Sequence, residues 1–66
     1  MIARIFGQNV YRLRMEKGLT QECFSARAGI SRTHLQMIES AKTVASIEVV
    51  EKIKKLLRCS WADLLD

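Results

Sequence analysis

The sequence predicts an all-α fold, a compact bundle of five short helices. Three observations carry that expectation. Proline is absent and the β-branched residues do not alternate, so no stretch reads as a strand. Apolar residues recur instead at a spacing near ~3.6. One helix-starting device also appears four times: an apolar residue, then Ser or Thr, then an apolar residue four positions past the hydroxyl.

Phe6, Val10 and Leu13 fall at i, i+4 and i+7 and predict a first helix over about residues 3–17, which Gly18 can end in a left-handed conformation. The four repeated devices are Leu19-Thr20 with Phe24, Ile30-Ser31 with Leu35, Ala45-Ser46 with Val50, and Cys59-Ser60 with Leu64. In each, the hydroxyl accepts a backbone N–H bond while the flanking apolar pair packs together, so each starts a helix. The helices then run near 20–28, 31–40, 46–57 and 60–65, with Asp63 adding a capping-box carboxylate to the last. Helices below about 12 to 15 residues are marginal in water, so these must be held by packing. The expected core is Phe6, Val10, Leu13, Leu19, Phe24, Ala28, Ile30, Leu35, Ile38, Ile47, Val50, Ile53, Leu57, Trp61 and Leu64, with Cys59 filling in.

Composition narrows the function classes. Sixty-six residues, 48% apolar and 27% charged, suit one small domain over residues 1–66 and leave no room for a large catalytic cleft. No run approaches a membrane span of ~18 apolar residues, and Met1 to Phe6 lacks a signal peptide's apolar region, so a cytoplasmic protein is expected. The net charge of +4 lies entirely in residues 1–45, where seven cations face three anions; residues 46–66 balance. A basic field so placed suits a polyanion such as nucleic acid. Cys23 and Cys59 are 36 positions apart beside a single His, which supports neither a metal site nor a redox pair, and two reduced thiols are expected. No cofactor, small-molecule ligand or catalytic constellation is visible, so an enzyme is not expected.

The second and third helices are joined by only Ala28-Gly29-Ile30, the short glycine-centred turn of a helix-turn-helix. Counted from Gln21, residues Phe24, Ala28, Gly29, Ile30, Leu35 and Ile38 take places four, eight, nine, ten, fifteen and eighteen of that motif's apolar and glycine pattern. Helical-wheel arithmetic at ~100° per residue, with Leu35 and Ile38 inward, turns Thr33 and Ser40 away from the core with Gln36 and Met37 on either side and Arg32 at the flank. That set could meet a major groove: Arg32 can pair with guanine O6 and N7, Gln36 with adenine N6 and N7, and Thr33 or Met37 can touch a thymine methyl. Glu39 falls only ~70° from the core direction and needs a cation. His34 lies on a core-facing flank and is read as a packing or backbone-bonding residue.

On these residues the chain resembles the phage-repressor family, the Cro/CI-type and XRE-like helix-turn-helix proteins, over about Phe6 to Leu65. The resemblance is carried by Leu13-Arg14, Gly18-Leu19-Thr20-Gln21-Glu22, Ala28-Gly29-Ile30-Ser31-Arg32, Leu35, Ile38-Glu39, Ser46-Ile47, Lys52-Ile53, Ser60-Trp61 and Leu64-Leu65. It implies a lambda-repressor-like domain, a sequence-specific regulator of transcription, such as a repressor, on double-stranded DNA. It also implies base reading at Arg32, Thr33, Gln36, Met37 and Ser40, and an Arg14–Glu39 pair bracing the first helix against the reading helix. The chain departs from the family at Ser25, where Ala is preferred, and at Ala41 and Arg58, where Gly is common.

Phosphate donors are expected at helix starts and in the loop after the reading helix: Gln21 first, then Lys42 and Thr43, with Thr20, Arg12 and Lys17 behind them. A lone reading helix touches few base pairs, so a homodimer on a pseudo-palindromic operator is expected, joined through Leu56, Trp61 and Leu65, which exceed what the core needs. Such a protein would be bacterial or phage-encoded and nucleoid-associated. The competing reading is a protein-interaction adaptor that keeps the fold without binding DNA; exposed aromatics would favour it, and the polar set on the third helix argues against it.

Overall fold

The computed structural model describes residues 2–65 as five helices: α1 (Ile2–Glu16), α2 (Gln21–Ala28), α3 (Arg32–Glu39), α4 (Ile47–Leu57) and α5 (Trp61–Leu65). Met1 and Asp66, counted above in the domain and its charge, lie outside the described residues. The hydroxyl devices set four of the five helix starts. Thr20 Oγ1 accepts from Cys23 N at 3.0 Å, Ser31 Oγ from His34 N at 2.9 Å, and Ser46 Oγ from Val49 N at 3.3 Å. Ser60 and Asp63 cap reciprocally, Ser60 N donating to Asp63 Oδ2 at 3.0 Å and Asp63 N to Ser60 Oγ at 3.2 Å. Each hydroxyl residue therefore stands just before its helix rather than in it, and the helices begin one residue later than the sequence suggested. At the other end of the reading helix, Ser40 is the C-cap rather than the last helical residue.

Nine buried side chains form the core among the described residues, drawn from all five helices; Val10, Phe24, Leu35, Ile53 and Leu64 are fully enclosed. α1 packs on α3 and α5, and α2 on α3 and α4. Gly7 makes the first contact possible: a Cβ there would collide with the Ile38 carbonyl oxygen, so α1 lies directly on the α3 backbone. Asn9 Nδ2 donates to the Leu64 carbonyl at 2.8 Å and ties α5 to α1. The body measures 26 × 22 × 20 Å between Cα extremes.

Two residues assigned to the core lie outside it. Ile47 is 71% exposed, because with Ile53 and Leu57 inward its position at the head of α4 falls ~100° from the core direction, and Val49 and Val50 pack there instead. Trp61 is 42% exposed, since the five-residue α5 buries one large side chain, Leu64, and leaves the indole at the rim.

Gly29 ends α2 at φ 73°, and Ile30 N reaches back to the Ser25 carbonyl at 3.0 Å, so the turn into α3 closes in three residues. Ala41 and Arg58 take the same left-handed region, at φ 62° and 53°, where a Cβ is strained. Ser25 is buried with its hydroxyl donating to the Glu22 carbonyl at 3.1 Å.

Candidate DNA interface

α3 is amphipathic in the sense a groove reader requires. Leu35 and Ile38 are buried, whereas Arg32, Thr33 and Gln36 are exposed and Met37 is 39% exposed. Ser40, at the helix end, donates its hydroxyl proton to the Gln36 and Met37 carbonyls at 2.9 and 3.3 Å, which leaves its oxygen free only to accept. Lys42 N then bonds back to the Met37 carbonyl at 2.8 Å across Ala41, bringing exposed Lys42 and half-buried Thr43 beside the end of α3. His34 is half-buried and anchors the helix start through its backbone N–H.

Behind α3 lies a buried ion pair. Arg14 Nε donates to Glu39 Oε2 at 2.7 Å and Arg14 Nη2 to Glu39 Oε1 at 3.1 Å, with side-chain exposures of 7% and 6%. Arg14 Nη1 also donates to the Leu19 carbonyl at 2.8 Å, and the Tyr11 ring centroid lies 5.3 Å from its guanidinium. A third donor reaches Glu39, Gln21 Nε2 to Oε1 at 3.0 Å. One carboxylate thus joins α1, the head of α2 and the tail of α3. Burying two charges is costly unless geometry and extra hydrogen bonds compensate, and the fork of Arg14 with the Gln21 amide supplies both. Removing one partner of such a pair costs about 3 to 5 kcal/mol.

The remaining phosphate candidates sit as follows. Thr20 is exposed with its oxygen held in the α2 cap. Arg12 is exposed and pairs with Glu16 at 3.1 Å, a solvated bridge that yields easily to another anion. Lys17 is exposed at the end of α1. Gln21 is the candidate whose side chain is tied to the buried ion pair, an arrangement that the sequence did not announce.

Away from α3, an apolar groove is lined by Phe6, Val44, Ile47, Val50, Trp61 and Leu65, among others. Trp61 and Leu65 were expected at such a surface. Val44, 74% exposed, and Ile47 were not; Ile47 was assigned to the core, and its angle on α4 relative to Ile53 and Leu57 is the signal that could have placed it here. Leu56 packs half-buried against the core and does not line the groove. Lys54 Nζ lies over the Trp61 ring, 5.7 Å from its centroid.

Both cysteines are free thiols and half-buried. Burial, then the Asp63 carboxylate, pushes the Cys59 thiol above its ordinary value and keeps it protonated. No trio of His, Cys, Asp or Glu among the described residues could hold a metal ion, and no described helix is long and apolar enough to cross a membrane.

A helix-turn-helix family model matches residues 10–64. The chain belongs to the helix-turn-helix family. This helix-turn-helix protein is 34% identical over 62 residues to an uncharacterized HTH-type transcriptional regulator, y4dJ, of Sinorhizobium fredii, covering 94% of this chain and 80% of the relative. It is 35% identical over 66 residues to the control protein C.BamHI of Bacillus amyloliquefaciens, covering 98% of this chain and 82% of the other. Among solved structures it superposes on the restriction-modification controller protein C.AhdI of Aeromonas hydrophila with a TM-score of 0.87, at 27% identity and 94% coverage of both chains. The clp gene regulator ClgR of Corynebacterium glutamicum shares the fold, with a TM-score of 0.91 at 23% identity, over 98% of this chain and 69% of that one. Together these make the protein a DNA-binding transcriptional regulator of the XRE type, not an enzyme.

Proposed function

We propose that residues 1–66 act as one unit, a sequence-specific regulator that binds double-stranded DNA as a homodimer on a pseudo-palindromic operator, with α3 in the major groove. The observation that carries this reading is the exposure of Arg32, Thr33, Gln36 and Met37 together on a helix whose back is fixed by Leu35, Ile38 and the Arg14–Glu39 pair. Arg32 is the guanine reader, Gln36 the adenine reader, and Thr33 and Met37 meet thymine methyls. Ser40, its proton spent on the helix, accepts from a base amino group. Lys42, Thr43, Thr20, Gln21, Arg12 and Lys17 hold phosphates and set register without reading sequence.

The apolar groove supports the dimer: Val44, Ile47, Trp61 and Leu65 expose apolar surface that a second copy would cover. Placed over a promoter in the cytoplasm of its host, such a dimer is a repressor. Selecting bound sites from random duplexes tests the reading. The expected result is an inverted repeat with half-site centres about one turn, ~34 Å, apart; a single unrepeated site, or no enrichment, overturns it.

A further inference from the structure

We propose that Asn9 is a positioning residue for self-association, whose amide pins α5 against α1 and so sets where Trp61 and Leu65 stand on the surface that a second copy covers. The inference rests on the dimer reading above and names a side chain behind that surface rather than on it: Asn9 is half-buried and does not line the apolar groove.

A helix of five residues does not hold itself in water, so α5 depends on what it docks against. Ser60 and Asp63 close its start, and Leu64 is its one buried side chain. Apolar burial is non-directional, so Leu64 holds the helix down without fixing its rotation. The bond from Asn9 Nδ2 to the Leu64 carbonyl, 2.8 Å long and spanning 55 positions, supplies the direction. It also satisfies one of the carbonyls that a helix end leaves open. The donor is itself aimed, because Arg12 Nη2 donates to Asn9 Oδ1 at 3.5 Å while Arg12 Nη1 pairs with Glu16, which turns the amide nitrogen toward α5.

Trp61 and Leu65 lie four positions apart on one face of α5, so a rotation or lift of this helix moves both. The rest of the groove does not move with them, since Phe6 stands on α1 and Ile47 and Val50 stand on α4. The docking of α5 therefore sets the shape of the groove. In a two-fold pair each copy contributes the same patch, and a displaced α5 is felt twice.

Asn9→Leu keeps the size of the side chain and deletes the bond. Trp61 is the single tryptophan of the chain, so its emission follows the covering of the groove. In a dilution series of the unmodified protein the emission is expected to move to longer wavelength as the copies part. Asn9→Leu is expected to shift the midpoint of that change to about tenfold higher concentration, with equilibrium sedimentation giving the same factor. The thermal midpoint of the dissociated chain is expected to fall by no more than about 8 °C. A merely structural role would lower the thermal midpoint and leave the association midpoint in place. That outcome, or no change in either, overturns the proposal while leaving the dimer intact, whereas an unmodified protein that sediments as a single copy at every concentration removes the reading beneath it.

The unmodified protein offers a second readout should Asn9→Leu unfold. By linkage, a bond that favours association is itself favoured by association to the same degree. The Asn9 amide proton on the Leu64 carbonyl is expected to exchange with solvent about tenfold more slowly in the associated protein than in the dissociated one. Equal exchange in the two states overturns the proposal.

Discussion

Under the proposed function, Arg32 and Lys42 separate reading from holding. Both are exposed cations near the ends of α3, Arg32 at its first residue and Lys42 in the loop beyond. Arg32→Ala is expected to cost about 1 to 3 kcal/mol on the operator and to relax preference at one base position, while Lys42→Ala weakens all sequences alike and flattens the salt slope by about one. Binding titrations on the operator, on single-base variants and across a salt series check both; a uniform loss from Arg32→Ala would make it a backbone contact. At this scale the sequence showed that Glu39 needed a cation, because its place on the helical wheel is nearly inward. It could not show that Gln21 and the Leu19 carbonyl complete the cluster, since an amide at a helix start is equally at home in water, and a backbone oxygen leaves no mark in the residue order. Gly7 was overlooked for a related reason: a glycine inside a helix is compatible with many causes, and only the approach of the Ile38 carbonyl identifies this one.

The helices themselves were legible through their starts, because a capping hydroxyl and its apolar pair are local features that distant packing seldom overrides. Ends and faces were harder. Ile47 was assigned to the core on hydrophobicity alone, and its angle on α4, set by Ile53 and Leu57, decided otherwise. Two helix ends carry the wrong residue for their conformation. Ala41 and Arg58 hold positive φ with a Cβ in place, so Ala41→Gly and Arg58→Gly are each expected to stabilise by about 1 kcal/mol, the relieved strain less the entropy glycine adds to the unfolded chain. Thermal and denaturant unfolding measure this; a fall in midpoint for either would mean that the residue's side chain contributes more than its backbone loses. The α5 start predicts a pH effect. Backbone and hydroxyl hydrogen bonds from Ser60 hold the Asp63 carboxyl below its ordinary value, so its contribution is complete above the unfolded carboxylate range and is lost as pH falls through the lowered native value. Asp63→Ala should therefore be less stable than the unmodified protein at neutral pH, with the gap closing in acid. A gap that stayed constant from neutral to acid pH would separate the effect from ionisation.

Across the whole molecule, the two surfaces have different chemistry: α3 with its flanking cations on one, and the groove of Val44, Ile47, Trp61 and Leu65 on the other. Ile47→Asp tests the second without disturbing the fold, because Ile47 is 71% exposed in a single copy. It is expected to leave thermal unfolding of the monomer nearly unchanged while abolishing self-association in equilibrium sedimentation and lowering operator affinity. Unaltered sedimentation would show that the copies meet elsewhere. The 26 Å length of the body carries a last consequence, because successive major-groove faces along one side of a duplex recur only every ~34 Å. One copy cannot span them. For the proposed pair of copies, where assembly is weak, occupancy of a paired target climbs with the square of protein concentration, so a gene under such a regulator would switch across a narrow range of dose rather than fade in proportion to it.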